Sequence, residues 1–371
     1  MKILYFFQEL GTPMFQWQRM HFIEELGHHN IIIESFNPLL YNDVEEANEK
    51  LIEKVQEGKY DLFLSNAGYY GMLFVETVEA IKKIGIPTMR IAWDNISIPY
   101  VDKVLGPHFD LLWLTAKDNI GLYEKWGAKT FFAPYAANPY TFTFNLQNIK
   151  RHVCFVGNPH GSRAIMINKL TEAGVRVDYY HGKNPNTVET KKSIEAKYNI
   201  IEPSPKSIVY RRLFFPEGRK MILGSMMNKF KGQTEIVFNE HLHKNFSVSH
   251  DDMVSIYSNA ALSLASTSVG HTDILKNPVQ WLFLRNFEIP MCGGIEICKY
   301  SPEVASYFED GKEIILYKTN EELVDKAKYY TEKASDKELL TIKEAARRRS
   351  ENEHTWFCRF KQAFDILGLK Y

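Results

Sequence analysis

The residues with the clearest chemical purpose lie in Leu284–Cys298, which reads L-R-N-F-E-I-P-M-C-G-G-I-E-I-C. The pattern predicts a short helix opened by Arg285 and Glu288, stopped by Gly293 and Gly294, and followed by an apolar strand. Unpaired N–H groups in a first helical turn attract phosphate, a carboxylate there accepts from ribose hydroxyls, and an arginine adds positive charge. Asn286 is the expected N-cap, and Pro290 falls early enough in the helix for its missing N–H to do little harm. A plainer reading fits the same residues: Glu288 complements the helix dipole and the glycines only end the helix.

Two further loops suit a diphosphate. Cys154–Arg163, C-F-V-G-N-P-H-G-S-R, follows a predicted strand. Gly157 and Asn158 would let the backbone approach a ligand, and Arg163 opens the next helix. The loop is neither G-x-G-x-x-G nor a P-loop, and a tight turn with a structural arginine fits it equally well. Ala265–Asp273, A-S-T-S-V-G-H-T-D, offers the Ser266 and Thr267 hydroxyls to phosphate. A protonated His271 beside it would favour departure of a nucleotide. Alternatively this is a polar loop that caps a helix, with Asp273 as N-cap.

In the first third, Asp94 of W-D-N follows a strand and is the best-placed carboxylate for a general base, with an Asx turn or cap before Pro99 as the alternative. Gly11 and Thr12, after the first strand, would present N–H groups on the acceptor side. His21, on a predicted helix, reads as packed or solvated. Lys206–Lys220 interleaves Tyr210, Phe214 and Phe215 with arginines and lysines. It suits anionic lipid headgroups or an acidic acceptor, or is a solvated loop.

The elements that must position these groups are read from periodicity. Continuous apolar strands are expected at Ile3–Phe7, Asn30–Glu34, Leu62–Ser65, Thr88–Ala92, Leu111–Thr115 and Thr130–Ala133, separated by amphipathic helices. A second series runs through Val153–Val156, Arg176–Tyr180, Ile236–Phe238, Ala261–Leu264 and Ile314–Tyr317. Gly27, Gly85 and Gly127 are expected helix C-caps. Strand–helix alternation on this scale predicts an α/β fold of two Rossmann-like domains facing across a cleft, with ligands at the carboxyl ends of the strands. The expected boundaries are an acceptor-side domain over 1–148, a nucleotide-sugar-binding domain over 149–350, and a C-terminal helix over 351–371 that crosses back to the first. The segment 182–232, with Pro203, Pro205 and Pro216, reads as an insertion.

Composition narrows the function. With 45 basic and 45 acidic residues among 371, bulk charge does not point to nucleic acid. Cys154, Cys292, Cys298 and Cys358 show neither metal-ligand spacing nor a disulfide framework, which suits a reducing cytoplasm. The amino-terminal apolar run is too short for a signal peptide, and no run is long enough to span a membrane. A cytoplasmic protein is expected, with peripheral contact at the inner membrane face as an option.

The order F-V-G-N…R, Y-S-N-A-A-L-S-L, L-R-N-F-E-I-P-M-C-G-G, Y-F-E-D-G-K-E-I-I-L-Y and H-T-W-F-C-R-F resembles the CgeB-like, spore-maturation-type glycosyltransferases, which are similar to the wider GT-B group. W-D-N, F-D-L-L-W-L-T and A-P-Y-A-A-N-P extend the likeness into the first half. The resemblance implies a transferase that moves a sugar from a nucleoside diphosphate donor to a glycan, lipid-linked or protein hydroxyl in envelope, polysaccharide or spore-coat glycosylation, without a cofactor or metal. By it, Glu288 binds the donor ribose, Arg163 and Arg285 stand at the diphosphate, and Gly157 makes room. Many relatives carry an E-x7-E pair. Aligning the glycines makes Glu288 its second member and places the first at Gln280, which is not acidic; Glu296 then lies beyond the helix on a strand. The departure keeps two alternatives open: a non-catalytic nucleotide-sugar or glycan binder, and a nucleotide-sugar epimerase of the same fold.

Overall fold

The computed structural model describes residues 1–7, 17–66, 71–159, 161–181, 204–231, 235–246 and 248–371. Gly11 and Thr12 lie outside these residues, as does all of 182–203. Two compact units divide the chain. The first holds Met1–Pro134, the described part of Pro185–Gly218, and Trp356–Tyr371; the second holds Tyr135–Asn184 and Arg219–Thr355, so far as described.

The first unit is built on β1 (Lys2–Phe6), β2 (Ile32–Phe36), β3 (Leu62–Ser65), β4 (Thr88–Ala92), β5 (Leu111–Leu114) and β6 (Thr130–Phe132). All pair in parallel, in the order β2-β1-β3-β4-β5-β6. Every residue of β3, β4 and β5 is buried, as strands covered on both faces require. Gly85 closes the helix Val75–Ile84 in the left-handed region, at φ 97°. The expectation for Gly27 fails. It lies within the helix Glu24–His28, and the turn after that helix places Asn30 at φ 59° instead.

The helix Trp356–Leu367 is fastened to this unit by a residue far away in sequence. Glu25, fully buried, accepts from the backbone N–H groups of Trp356 (3.0 Å) and Phe357 (2.7 Å). These are orphan donors of a helix start, so one carboxylate does the work of a cap. His21 is packed: Trp356 Nε1 donates to its Nδ1 at 3.2 Å.

The second unit carries β7 (Lys150–Val156), β8 (Val177–Tyr180), β9 (Leu242–Asn245), β10 (Ala260–Leu264), β11 (Glu296–Lys299) and β12 (Ile315–Tyr317), again all parallel, in the order β12-β11-β10-β7-β8-β9. The strand expected at Ile236–Phe238 is absent. That segment is irregular with Val237 and Phe238 exposed, and the edge strand is the polar L-H-K-N of β9. An edge strand half-open to water needs no apolar run, which is why the pattern misleads. The unit begins at Tyr135, earlier than 149. Arg347 donates to the Pro139 carbonyl at 3.1 Å and also to that of Phe142, and Ala137 N donates to His354 O at 3.1 Å. Those bonds tie 135–142 to the second unit.

Replacing Glu25 by Ala strands two buried N–H groups. The expected cost is about 1–3 kcal/mol in chemical denaturation, with the near-ultraviolet signal of the Trp356 region lost early in the transition. Unchanged stability would show that the carboxylate does not hold this helix.

Candidate functional site

In a parallel sheet the loops on either side of the strand-order reversal open a crevice at the carboxyl ends. In the second sheet the reversal lies between β7 and β10. The loops that follow these two strands are the ones singled out in the sequence, 157–163 and 265–273. They touch backbone to backbone. A Cβ on Gly161 would stand 1.9 Å from the Gly270 carbonyl oxygen, and Gly161 also has φ 70°. Only glycine satisfies both constraints. Sequence reading missed Gly161, whose one signal is its position four residues after Gly157. Gly157 itself takes φ 135° and donates to Tyr180 O at 3.0 Å. The exposed Asn158 gives its carbonyl to Arg163 Nη1 at 3.2 Å.

Arg163 opens the helix Arg163–Glu172, and its guanidinium lies 5.2 Å from the centroid of the Phe283 ring. Burial lowers its pKa and the charge of Arg285 lowers it further. Two guanidinium groups thus feel each other in a partly desolvated place, an arrangement that an anion would relieve.

Arg285 opens the helix Arg285–Met291, where Leu284 supplies no side-chain cap. Its Nη1 forms an ion pair with Glu288 and meets Met253 Sδ at 3.2 Å; its side chain is 37% exposed, against 4% for Glu288. Burial opposes the Arg285 charge, and the Glu288 carboxylate, acting with Tyr257 and Cys292, outweighs it and raises the pKa. Glu288 is therefore turned inward beside an arginine that reaches solvent.

Asn286 is not the N-cap. It stands inside the helix; its Oδ1 accepts from Phe283 N at 2.7 Å, and its Nδ2 donates to Glu296 Oε1 at 2.5 Å. Glu296, on β11, is buried, with the Cys298 thiol beside its carboxyl. Desolvation pushes its carboxyl up to about 7, against the opposing bond from Asn286. The other end of the helix is also held. Gly293 and Gly294 are buried there, where a Cβ on Gly293 would meet the Phe144 ring at 2.4 Å and one on Gly294 would meet Ile289 at 2.9 Å. Both end the helix and pack. Lys343 Nζ, fully buried, donates to the carbonyls of Ser258 (2.9 Å), Ala260 (2.8 Å) and Gly293 (3.4 Å), and Arg347 donates to Met291 O.

In the second loop, Thr267 Oγ1 donates to Gln280 Oε1 at 2.5 Å, and Trp281 N donates to Thr267 O at 2.7 Å. Ser266 Oγ accepts from Ser268 N at 3.2 Å. Asp273 is no N-cap: it lies inside a one-turn helix, Thr272–Ile274, and pairs with Lys299 at 2.9 Å. His271, Asp273, Ser162 and Lys299 line a cavity of about 250 Å³ that also reaches Asn228 and Tyr317.

In the first unit, Asp94 follows β4, with part of the residue at the surface and its carboxyl crowded by the surrounding protein. Its backbone carbonyl, rather than its carboxylate, closes the turn by accepting from Ser97 N (2.9 Å) and Ile98 N (3.0 Å), so the Asx reading does not hold. The neighbour fixes the loop: Asn95 Oδ1 accepts from Thr115 N (3.0 Å) and Ala116 N (2.9 Å), and its Nδ2 donates to Ala116 O (2.8 Å). Desolvation raises the Asp94 carboxyl above its ordinary range, and the Asp102 charge adds to that. Asp102 is the buried partner of Arg90, at 2.5 Å. Among the described residues no group of three His, Cys, Asp or Glu side chains is placed to hold a metal ion.

Residues 209–365 match the family described as Glycosyl transferase-like. No curated protein sequence matches the chain. Among solved structures, Anabaena Alr3699/HepE in complex with UDP and glucose is similar over 99% of each chain, at 11% identity and a TM-score of 0.58. An α-glucosyltransferase in complex with UDP-glucose and DNA containing an abasic site shares 13% identity over 99% of each chain, with a TM-score of 0.60. Sucrose-phosphate synthase from Thermosynechococcus elongatus shares 11% identity over 99% of each chain, with a TM-score of 0.55. The fold, two six-stranded parallel sheets with their helices, is that of the GT-B glycosyltransferases. The glycosyl transferase-like region covers most of the second unit's site.

Glu296 gives a test of how the helix is held. A carboxyl raised to about 7 contributes stability that is complete below its unfolded value of about 4.5 and is lost as pH rises through about 7. Glu296→Gln should keep the bond to Asn286 and flatten the fall in melting temperature across that window. An identical pH profile for variant and parent would show that Glu296 ionises freely.

Proposed function

We propose that this protein is a glycosyltransferase that moves a sugar from a nucleoside diphosphate donor to an acceptor hydroxyl. The observation that carries the reading is the cluster in the second unit: an inward-turned Glu288, Arg285 beside it, and Arg163 within reach of the Arg285 charge. Glu288 would accept from the donor ribose, exchanging part of its pairing with Arg285 for hydroxyl donors. The two guanidinium groups would then bear on the diphosphate, and loops 157–163 and 265–271 would supply N–H and O–H donors. Structurally similar proteins are described in complex with UDP and with UDP-glucose, which supports a uridine diphosphate donor here.

In the transfer itself, the bond from the sugar's anomeric carbon to the diphosphate oxygen breaks, and the acceptor oxygen forms the new one. Negative charge develops on the departing diphosphate, where Arg163, Arg285 and a protonated His271 would stabilise it without a metal. Asp94 is the proposed base for the acceptor proton. Its raised pKa makes it a better proton acceptor than an ordinary aspartate, once ionised. The acceptor, glycan, lipid-linked or protein, and the CgeB-like role in envelope or spore-coat glycosylation follow from the resemblance of the motifs.

One observation favours a second reading, a binder without transfer. Gln280, where relatives carry a carboxylate, has its amide oxygen engaged by Thr267. Slow hydrolysis of a UDP-sugar by the purified protein supports the enzyme, and its complete absence with intact UDP binding supports the binder.

At about one hundred times its dissociation constant, UDP should stabilise the protein by about 2.7 kcal/mol, read as a rise in melting temperature. Glu288→Ala should reduce that rise sharply, and a chelator should leave turnover intact. A full UDP shift in the variant, or a strict divalent-ion requirement, contradicts the proposal.

A further inference from the structure

The cavity of about 250 Å³ beside loops 157–163 and 265–273 has a lining that the transfer does not use, His271 excepted. All of its lining residues belong to the second unit. Clefts that hold drug-sized ligands run to about 300–1,000 Å³, so this one suits a single ring rather than a nucleotide or a chain.

Two of its polar groups lack a partner. Asn228 and Ser162 line the cavity at 5% and 6% exposed, and neither side chain has a hydrogen-bond partner among the described residues. A buried amide left unpaired is costly, which points to an occupant that pairs it. Asn228 is held in place by backbone packing. Gly224, one turn earlier on the helix Pro216–Lys231, sits on the loop after β10 so closely that a Cβ would stand 2.7 Å from the His271 carbonyl oxygen. Both residues fall in the part of that helix that belongs to the second unit.

The charge of the lining selects the occupant. Lys299 is the one ammonium lining the cavity among the described residues, and Asp273 matches it at 2.9 Å. A phosphate would meet that carboxylate, so a neutral ligand fits better. The Asn228 amide and the Ser162 hydroxyl can each donate and accept, as neighbouring hydroxyls on a ring require. Ile165, Met166 and Ile274 supply an apolar wall for a ring's C–H face. The Tyr317 hydroxyl is already committed to Met166 Sδ at 2.6 Å.

We propose that this cavity binds one sugar ring, whose hydroxyls are read by Asn228 and Ser162. Two sources present such a ring: the sugar carried by a nucleotide donor, and a separate saccharide. Ser162 directly precedes Arg163, so a ring held here adjoins the proposed diphosphate position. The first source therefore rests on the donor reading, whereas the ring site itself rests on the cavity.

The test is calorimetric titration of the full-length protein and its variants with UDP, with glucose, galactose and N-acetylglucosamine, and with the UDP conjugates of these three sugars. If the ring arrives on the nucleotide, Asn228→Ala should weaken at least one UDP-sugar by about tenfold and leave UDP unchanged. If it arrives separately, a free sugar should bind the parent alongside UDP, and the same variant should weaken it by about tenfold. Asn228→Leu, which fills the cavity, should abolish the contribution of the ring in either case; should it fail to fold, Asn228→Ala carries the test. The proposal is overturned if no free sugar binds the parent and both variants bind every UDP-sugar as the parent does. Equal weakening of UDP and its sugar conjugates also overturns it, since Asn228 would then serve the nucleotide or the fold. Absence of UDP binding in the parent would sink the donor reading, and the free sugars would still decide this one.

Discussion

A seven-residue helix has too few internal hydrogen bonds to stand alone, yet Arg285 and Glu288 sit on one. It survives because both ends are held by tertiary polar contacts. Asn286, fixed by Glu296 from the neighbouring strand, engages the backbone just before the helix. Lys343 and Arg347, one turn apart on the long helix Asp336–Glu353, take the carbonyls at its end. Lys343 is a costly way to do this. Burial lowers its pKa to about 8, and three carbonyls accept from the buried amine. The result is a carboxylate and a guanidinium whose positions depend on three separate elements.

The same reasoning explains where the loops meet. Strand order forces the chain after β7 and the chain after β10 to the same crevice, and the glycine at 161 lets its backbone touch that of Gly270. Phosphate recognition by backbone donors needs that closeness, because a side chain at 161 would hold the loops apart. In the first unit, Asn95 plays a comparable part by tying the W-D-N turn to the end of β5 with three bonds to backbone.

Much of this was legible in the sequence, for a physical reason. Strands buried on both faces leave continuous apolar runs, so β3, β4 and β10 could be read nearly to the residue. The edge strand β9 could not, since half its surface meets water and its residues are polar. Local chemistry singled out Arg163, Arg285 and Glu288 as candidates, but it could not show that Asn286 turns to Glu296 instead of capping, or that Asp273 pairs with Lys299. Both depend on partners brought close by the sheet, and hydrogen-bonding side chains follow the nearest partner in space. The buried Lys343 and the Glu25 cap were invisible for the same reason: on a helix each looks like an ordinary surface charge.

The most direct measurement is a crystal structure of the protein with UDP bound. The account predicts ribose hydroxyls within hydrogen-bond distance of Glu288 and a diphosphate against Arg163 and the two loops that meet at Gly161 and Gly270. A nucleotide bound elsewhere, with Glu288 still closed on Arg285 alone, would contradict it.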